Sequence, residues 1–265
     1  MPGTSTDYDP QGNMIAFEEA SHKYYSRIPS MREDKAEVET VYTSVTQLIK
    51  RFTPPFDPDG AIAARCAERD GTTPEAVRAA WKAKADAACL VGTRVHEVCE
   101  DVLRGRAIRN RPRDEHERLL MKQAYDVAAS VRQYATPVGV EKIVFDYDLA
   151  IAGTIDLLAQ TGEKSFRIVD WKTNEKIERE NAYNKFMLPP LVRLADTTFN
   201  HYALQLSIYA AILRRRGYVS ADAEIALDIF HIREDAAEHI VVPELAVEAR
   251  DIIIEHFVNN LKAPF

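Results

Sequence analysis

Cysteine is scarce in this chain: Cys66, Cys89 and Cys99 are the only three. An odd number without tight spacing excludes a disulfide framework. Three thiols also cannot supply a four-cysteine iron–sulfur site, so no cluster is expected. Free thiols suit a reducing compartment. No apolar run is long enough to span a bilayer, and no membrane association is expected. Residues 1–11 are polar and turn-rich, without the basic-then-apolar order of a secretory signal, and none is expected there. Positive charge is short as well, with 34 lysines and arginines against 41 aspartates and glutamates, a formal net charge of -7. A protein that only coats phosphates is usually basic. The deficit argues against a non-specific DNA coat, but not against an enzyme whose carboxylates hold cations.

Repeats and low-complexity tracts are also missing. What is present is ordinary: 46% hydrophobic and 28% charged residues over 265 positions, enough for one large domain or one domain with an appendage. Met14–Arg27 and Val41–Val45 read as short strands around a polar excursion at Ser30–Glu39, and Ser44–Phe52 as a short capped helix. Pro54, Pro55, Pro58 and Gly60 then break the pattern. Ala61–Ala87 is alanine-rich and helical with an interruption near Gly71–Pro74; a further helix is expected from Gly92 to Leu103, and another from Asp114 to Tyr134. The period then changes to two. Gly139–Asp148, Ile151–Gln160 and Ser165–Thr173 read as successive strands. Asn200–Arg216 is a helix ending at Gly217; Glu224–Ile232 and His239–Val242 are strands; Pro243–Leu261 closes as a helix with proline in its first turn. One mixed α/β domain fits this order. The expected division is an N-terminal β-hairpin and helical extension over 1–90, packed on a core over 91–265.

Four segments carry candidate chemistry. In Ile168-Val169-Asp170-Trp171-Lys172-Thr173, strand alternation puts Asp170 and Lys172 on one face, a carboxylate and an ammonium at the end of an apolar strand. The preceding strand carries Asp156 inside the apolar run Ile151–Leu158. A turn at Thr161–Lys164 joins the two strands as a hairpin, so the two aspartates can lie side by side. Facing carboxylates repel, and a divalent cation between them removes that penalty. If Thr161 paired with Lys164, however, Asp156 would face Val169 and the acids would point apart. The site therefore requires a longer loop or a bulge in this hairpin. Third, His96 and Glu100 share an edge of the helix whose packed stripe is Val95, Val98, Cys99 and Val102. Fourth, Gln205 and Tyr209 lie one turn apart on the helix whose core stripe is Leu204, Ile208 and Ala211. Taken singly, each segment is as well explained by a surface ion pair or a half-buried tyrosine as by function.

As an ordered set they resemble the RecB-like branch of the PD-(D/E)XK nuclease superfamily, including its phage-type and mitochondrial exonucleases. That branch carries a helical G-T-x-x-H, then G-x-x-D, then D-x-K or E-x-K, then Q-x-x-x-Y; here these are Gly92, Thr93 and His96; Gly153 and Asp156; Asp170 and Lys172; Gln205 and Tyr209. The resemblance implies an α/β restriction-endonuclease-like core: a mixed central sheet flanked by helices in αβββαβ order. It implies a Mg2+- or Mn2+-dependent phosphodiesterase acting on DNA. His96, Asp156, Asp170 and the Trp171 backbone carbonyl would ligate the metal, with Glu100 and Glu141 as further candidates. Lys172 would orient or activate the attacking water, and Gln205 and Tyr209 would position substrate. The implied setting is the cytoplasm of a bacterial or phage-infected cell. No helicase motif is present, so unwinding would fall to a helicase partner, alongside recombinase or single-strand-binding partners. Arg104, Arg106, Arg109, Arg111 and Arg113 form the densest basic cluster, Arg214–Arg216 a second, and Lys176 and Lys185 lie in the loop after the D-x-K strand. These are candidate DNA contacts, and Trp171, Tyr183 and Phe186 are candidate stacking residues for unpaired bases. A catalytically silent DNA-binding relative and a hydrolase of another phosphoester are the competing readings.

Overall fold

The computed structural model describes residues 3–29, 37–57 and 59–262. Most of the expected polar excursion at Ser30–Glu39, and Pro58, lie outside these residues. The chain opens with an antiparallel meander of β1 (Thr4–Tyr8), β2 (Met14–Glu18), β3 (Lys23–Pro29) and β4 (Glu37–Ser44). Ser44 then caps α1 (Val45–Lys50): its hydroxyl accepts from the Gln47 N–H, and the Gln47 side chain accepts from the Ser44 N–H. Helices α2 (Ala61–Asp70), α3 (Pro74–Leu103) and α4 (Glu115–Tyr134) follow. Strands β5 (Thr136–Asp146), β6 (Ile151–Gly162) and β7 (Ser165–Lys172) come next, then α5 (Thr198–Arg215), β8 (Glu224–Ile232), β9 (Ala237–Val242) and α6 (Ala246–Lys262).

Three expectations need correction. Residues 4–8 form an edge strand rather than a turn-rich lead. Asp7 secures it by pairing with Lys142 and accepting from the Ile143 N–H at 3.1 Å. No second helix opens at Gly92, because α3 runs unbroken through 30 residues. One glycine costs about 1 kcal/mol in a helix, and the alanine-rich run before it favours continuation. The boundary expected at 90/91 thus falls inside α3. Pro243 precedes α6, which begins at Ala246.

The sheet is mixed, in the order β1-β2-β3-β4-β6-β7-β8-β9, with β5 on the opposite edge of β6. Helices α3 and α4 cover one face, where Val95, Val98, Ala124 and Val131 pack with Leu157, Ala159, Val169, Trp171 and Phe230. Helices α1, α5 and α6 cover the other, where Leu48, Leu204, Ile208 and Ile252 pack with Ile155, Leu158, Ile168, Leu227 and Ile229. This is the helix-flanked mixed sheet expected of a restriction-endonuclease-like core.

One edge of β6 is shared. Its far end pairs antiparallel with β7 as far as Leu157↔Val169, and its near end pairs parallel with β4 at Ile151 and Ala152. Among the described residues, Gly153–Asp156 lies in the gap where β7 has diverged and β4 has not yet joined.

Candidate active site

The register of the β6–β7 hairpin brings the two aspartates together. Gly162 pairs with Ser165, Gln160 with Phe166, and Thr161 is left over as a bulge. The extra residue shifts the ladder to Leu157↔Val169, one step short of Asp156 opposite Asp170. The hairpin thus meets the requirement set by the sequence. Past that point the ladder gives way to side-chain bonding: the Trp171 N–H donates to Asp156 Oδ2 at 2.9 Å.

Around Asp156 the groups converge from three elements. His96 on α3 sends Nδ1 to 3.5 Å from Asp156 Oδ2, and its Nε2 lies 2.9 Å from the Trp171 carbonyl oxygen. A carbonyl only accepts, so Nε2 carries the proton, and in the neutral ring Nδ1 turns its lone pair toward Asp156. Ligand atoms of His96, Glu141 and Asp156 all lie within 4.8 Å of one another. Glu141 sits opposite Asp156 on β5, between the pairs Val140↔Leu157 and Lys142↔Ile155. It holds φ at 50°, in the left-handed region, which costs a non-glycine residue about 1–3 kcal/mol.

Asp170 and Lys172 enter from the α5 side. Lys172 Nζ is 2.5 Å from Asp170 Oδ2 and 4.5 Å from the centre of the Tyr202 ring. The pair is off hydrogen-bond geometry, so Asp170 Oδ2 is buried without a hydrogen-bond donor. A buried carboxylate oxygen whose one near partner is an ammonium off hydrogen-bond geometry, near an imidazole and two more carboxylates, is a donor set that fits a divalent cation.

The electrostatics follow from burial and crowding. Burial pushes the Glu141 carboxyl well above its usual range, and Asp156 and Glu100 push it further. Asp170 is raised by burial, against the pull of Lys172. Burial alone would lower the Lys172 ammonium, but Asp170 and Asp156 outweigh it and the net shift is upward. Lys172 is therefore a fixed positive charge at neutral pH.

Two glycines of the motifs have steric explanations. A Cβ on Gly153 would stand 2.6 Å from Tyr209 Cε1 and 2.8 Å from Tyr209 Oη. Its absence lets the buried Tyr209 ring lie across β6 in the gap. Gln205 Nε2 donates to Tyr209 Oη at 3.3 Å, so the two residues brace each other. A Cβ on Gly92 would meet Thr173 Oγ1 at 3.2 Å, which brings α3 close to the end of β7.

Other candidates lie elsewhere or are already engaged. Glu100 stands outside the cluster, its carboxylate taken by Arg104 at 3.0 Å, Arg109 at 2.7 Å and Arg106 at 3.7 Å. Arg109 also pairs with Asp101, and Arg113 with Glu117. Arg111 offers its carbonyl oxygen to Arg94. The second basic cluster is tied down as well: Arg214 to Glu244, Arg215 to Asp146, and Arg216 to Asp148. Trp171 is not free to stack on bases, since its side chain is 1% exposed and packs on Phe230. Tyr183 and Phe186 are exposed, with Lys185 Nζ over the Tyr183 ring; Lys176 holds Asn174 through its carbonyl oxygen.

Sequence reasoning missed Tyr202, Asn174 and His231. The Tyr202 hydroxyl donates to Asn174 Oδ1 at 3.3 Å, and His231 Nε2 lies 2.6 Å from the Asn174 carbonyl oxygen, fixing the turn after Lys172. The stripe Tyr202, Gln205, Tyr209 at helical spacing was a usable signal for the first. The other two are set by tertiary contact.

A family model for the PD-(D/E)XK nuclease superfamily matches residues 47–263, well over half of the chain. No curated protein matches the chain closely enough to count as a relative.

Proposed function

The chain belongs to the PD-(D/E)XK nuclease superfamily, and from that we propose that it is a Mg2+- or Mn2+-dependent deoxyribonuclease. We read it as an exonuclease acting on single-stranded or end-containing DNA in replication, recombination or repair. One observation carries the reading: ligand atoms of His96, Glu141 and Asp156 converge where α3 meets β5 and β6, and Asp170 with its paired Lys172 ammonium lies at the end of the neighbouring β7.

His96, Asp156 and Asp170 would hold the cation. Bound there, it would polarise a phosphate and acidify water. The residues of the chain do the rest. Lys172 offers positive charge where a phosphoryl transition state gathers negative charge. Asp170 holds that ammonium in place. Tyr209 and Gln205, braced across Gly153, form a rigid wall against which the scissile strand can be positioned. Because Arg104, Arg106 and Arg109 share one glutamate, phosphates approaching that edge must compete with Glu100 for them.

The test uses end-labelled single-stranded, duplex and flapped DNA with magnesium, manganese or chelator. Metal-dependent shortening from one end is expected from the native protein, and none from Asp156→Ala. Binding without cleavage would favour the silent relative. Cleavage of small phosphoesters but not DNA would favour the other hydrolase.

A further inference from the structure

The sheet face opposite α5 has two covers, and the acidic cluster lies at the seam between them. On one side the N-terminal meander folds over, and Ile15, Tyr24 and Tyr42 pack on Ile143, Phe145 and Ala152. On the other side α3 and α4 pack on Val140, Leu157 and Ala159. Glu141 and Asp156 fall between these two sets, one in β5 and one in β6. Helix α3 lines its side of the seam with His96. The meander lines the opposite side with Tyr24.

Tyr24 is held firmly in that position. It pairs across the sheet with Phe17 and Tyr42, and its ring centre stands 4.5 Å from that of Phe17. Its hydroxyl lies 2.8 Å from Thr154 Oγ1, on the residue that follows Gly153 in β6. Burial pushes the phenol pKa up against the pull of the Thr154 bond, and the Glu141 and Asp156 carboxylates push it the same way as burial. The phenol therefore keeps its proton at neutral pH.

Two hydroxyls carry two protons, and the bond between them uses one. The phenol is the more acidic O–H, so Tyr24 donates and Thr154 accepts. Among the described residues, neither hydroxyl makes another hydrogen bond. The Thr154 proton is thus unspent, on the less buried of the two side chains and two residues from Asp156. A cationic side chain here would be drawn onto the carboxylates, as Lys172 is drawn onto Asp170. A neutral hydroxyl stays available, and hydroxyls of this kind commonly donate to phosphate oxygens.

We infer that Thr154 donates its hydroxyl proton to a phosphate oxygen of the substrate strand, with Tyr24 as the positioning residue that orients it from the meander. This rests on the nuclease reading above and adds a substrate contact from outside the residues that the four motifs specify. It also makes the meander part of the substrate site rather than an appendage.

Thr154→Val alone would strand the buried Tyr24 hydroxyl, so the test removes the pair together. Tyr24→Phe with Thr154→Val deletes both ends of the bond and keeps both shapes, and should melt close to the native protein. With Ca2+ as the cation, its affinity for a labelled single-stranded oligonucleotide, read by fluorescence anisotropy, should fall about tenfold, the worth of one hydrogen bond to a charged group. In Mn2+-dependent cleavage the loss should appear in KM, with kcat held to within about twofold. Thr154→Ser, which keeps the hydroxyl, should bind like the native protein. Mn2+ affinity, read by loss of the free-ion electron paramagnetic resonance signal, should be unchanged in both, because neither hydroxyl is a cation ligand. A folded double variant that binds the oligonucleotide as tightly as the native protein would overturn the inference. A parallel loss of Mn2+ affinity would overturn it too, by placing the effect in the cation site. Should the double variant not fold, Tyr24→Phe decides: a smaller loss of DNA affinity is expected, and none would overturn the inference. Failure of the nuclease reading looks different: the native protein binds DNA through Thr154 but does not cut it. A native protein that neither binds nor cuts DNA would end both readings.

Discussion

Gly153→Ala probes the packing that shapes the gap in β6. The backbone at 153 is not left-handed, so alanine meets no conformational barrier there and would, by itself, stiffen the strand by about 0.5–1 kcal/mol. The obstacle is Tyr209. A Cβ at 153 would lie 2.6 Å from its Cε1, 2.8 Å from Oη and 3.1 Å from Cζ. Carbon contacts settle near ~3.5 Å, so the ring must retreat by roughly 0.9 Å. It has nowhere to go: Tyr209 is 3% exposed and packs within the α5-side core. Overpacking of this kind costs about 1–3 kcal/mol, leaving a net loss of up to about 2.5 kcal/mol after the glycine correction. Because a shift of about 1 Å near reacting groups can cost on the order of a hundredfold in rate, cleavage should fall more than stability suggests. The assay is urea denaturation of a double-mutant cycle. In a Tyr209→Ala background the alanine at 153 should be neutral or slightly stabilising. In Tyr209→Phe, which keeps Cε1 and Cζ, the penalty should persist. An equal loss in all three backgrounds would refute the steric reasoning, since the cost would then not pass through the ring.

Lys172→Ala should remove cleavage by two or more orders of magnitude while circular dichroism still reports the native fold, at a lower melting temperature because the buried Asp170 loses its cation. The thiols should separate by reactivity toward a chromogenic disulfide reagent. The exposed Cys89 should react in the native protein, and the buried Cys99, whose thiol pKa burial pushes well upward, only after unfolding. Arg106 is the most loosely held of the three arginines on Glu100, at 3.7 Å, so Arg106→Ala should reduce the salt slope of DNA binding by about one, and an unchanged slope would show that it makes no phosphate contact.

The sequence disclosed most where local signals and global packing agreed. Strand β8 runs over the residues its apolar pattern outlined, and the Asp114 cap starts α4 where a side-chain acceptor was in view. The bulge at Thr161 was deducible because only an extra residue reconciles a two-residue turn with facing aspartates. Three features were hidden because each depends on groups far apart in the chain. Strand β1 has a weak strand pattern of its own and is held by Asp7 bonding to β5, more than 130 residues on. The arginine clusters read as free charge until the fold supplied Glu100, Asp146, Asp148 and Glu244 as partners. Glu141 stood among the further metal candidates, but nothing in its neighbours along the chain announces its left-handed backbone.

His96 depends in turn on how firmly α3 is held, and a buried ion triad beside it makes that measurable through pH. Glu117 on α4 is fully buried and pairs with Arg94, two residues before His96, at 3.0 Å, and with Arg113 at 2.6 Å. Burial by itself would raise the Glu117 carboxyl, but the Arg113 side chain, the Arg113 N–H and Arg94 together overcome it and lower the pKa from 4.5 to about 2. A carboxyl depressed on folding stabilises the native state above its unfolded pKa, and that stability is lost as pH falls through the folded value. The window is therefore from about 4.5 down to about 2. The shift corresponds to about 3 kcal/mol at most. Glu117→Gln should destabilise the protein at pH 7, since it leaves two arginines facing a neutral amide. Its stability should then fall less steeply than that of the native protein between pH 5 and pH 3. The native and variant curves, taken from urea midpoints at each pH, should approach each other on the acid side. Parallel curves would show that Glu117 is not held as a carboxylate by its arginines, and that the lock on α3 beside His96 is packing rather than charge.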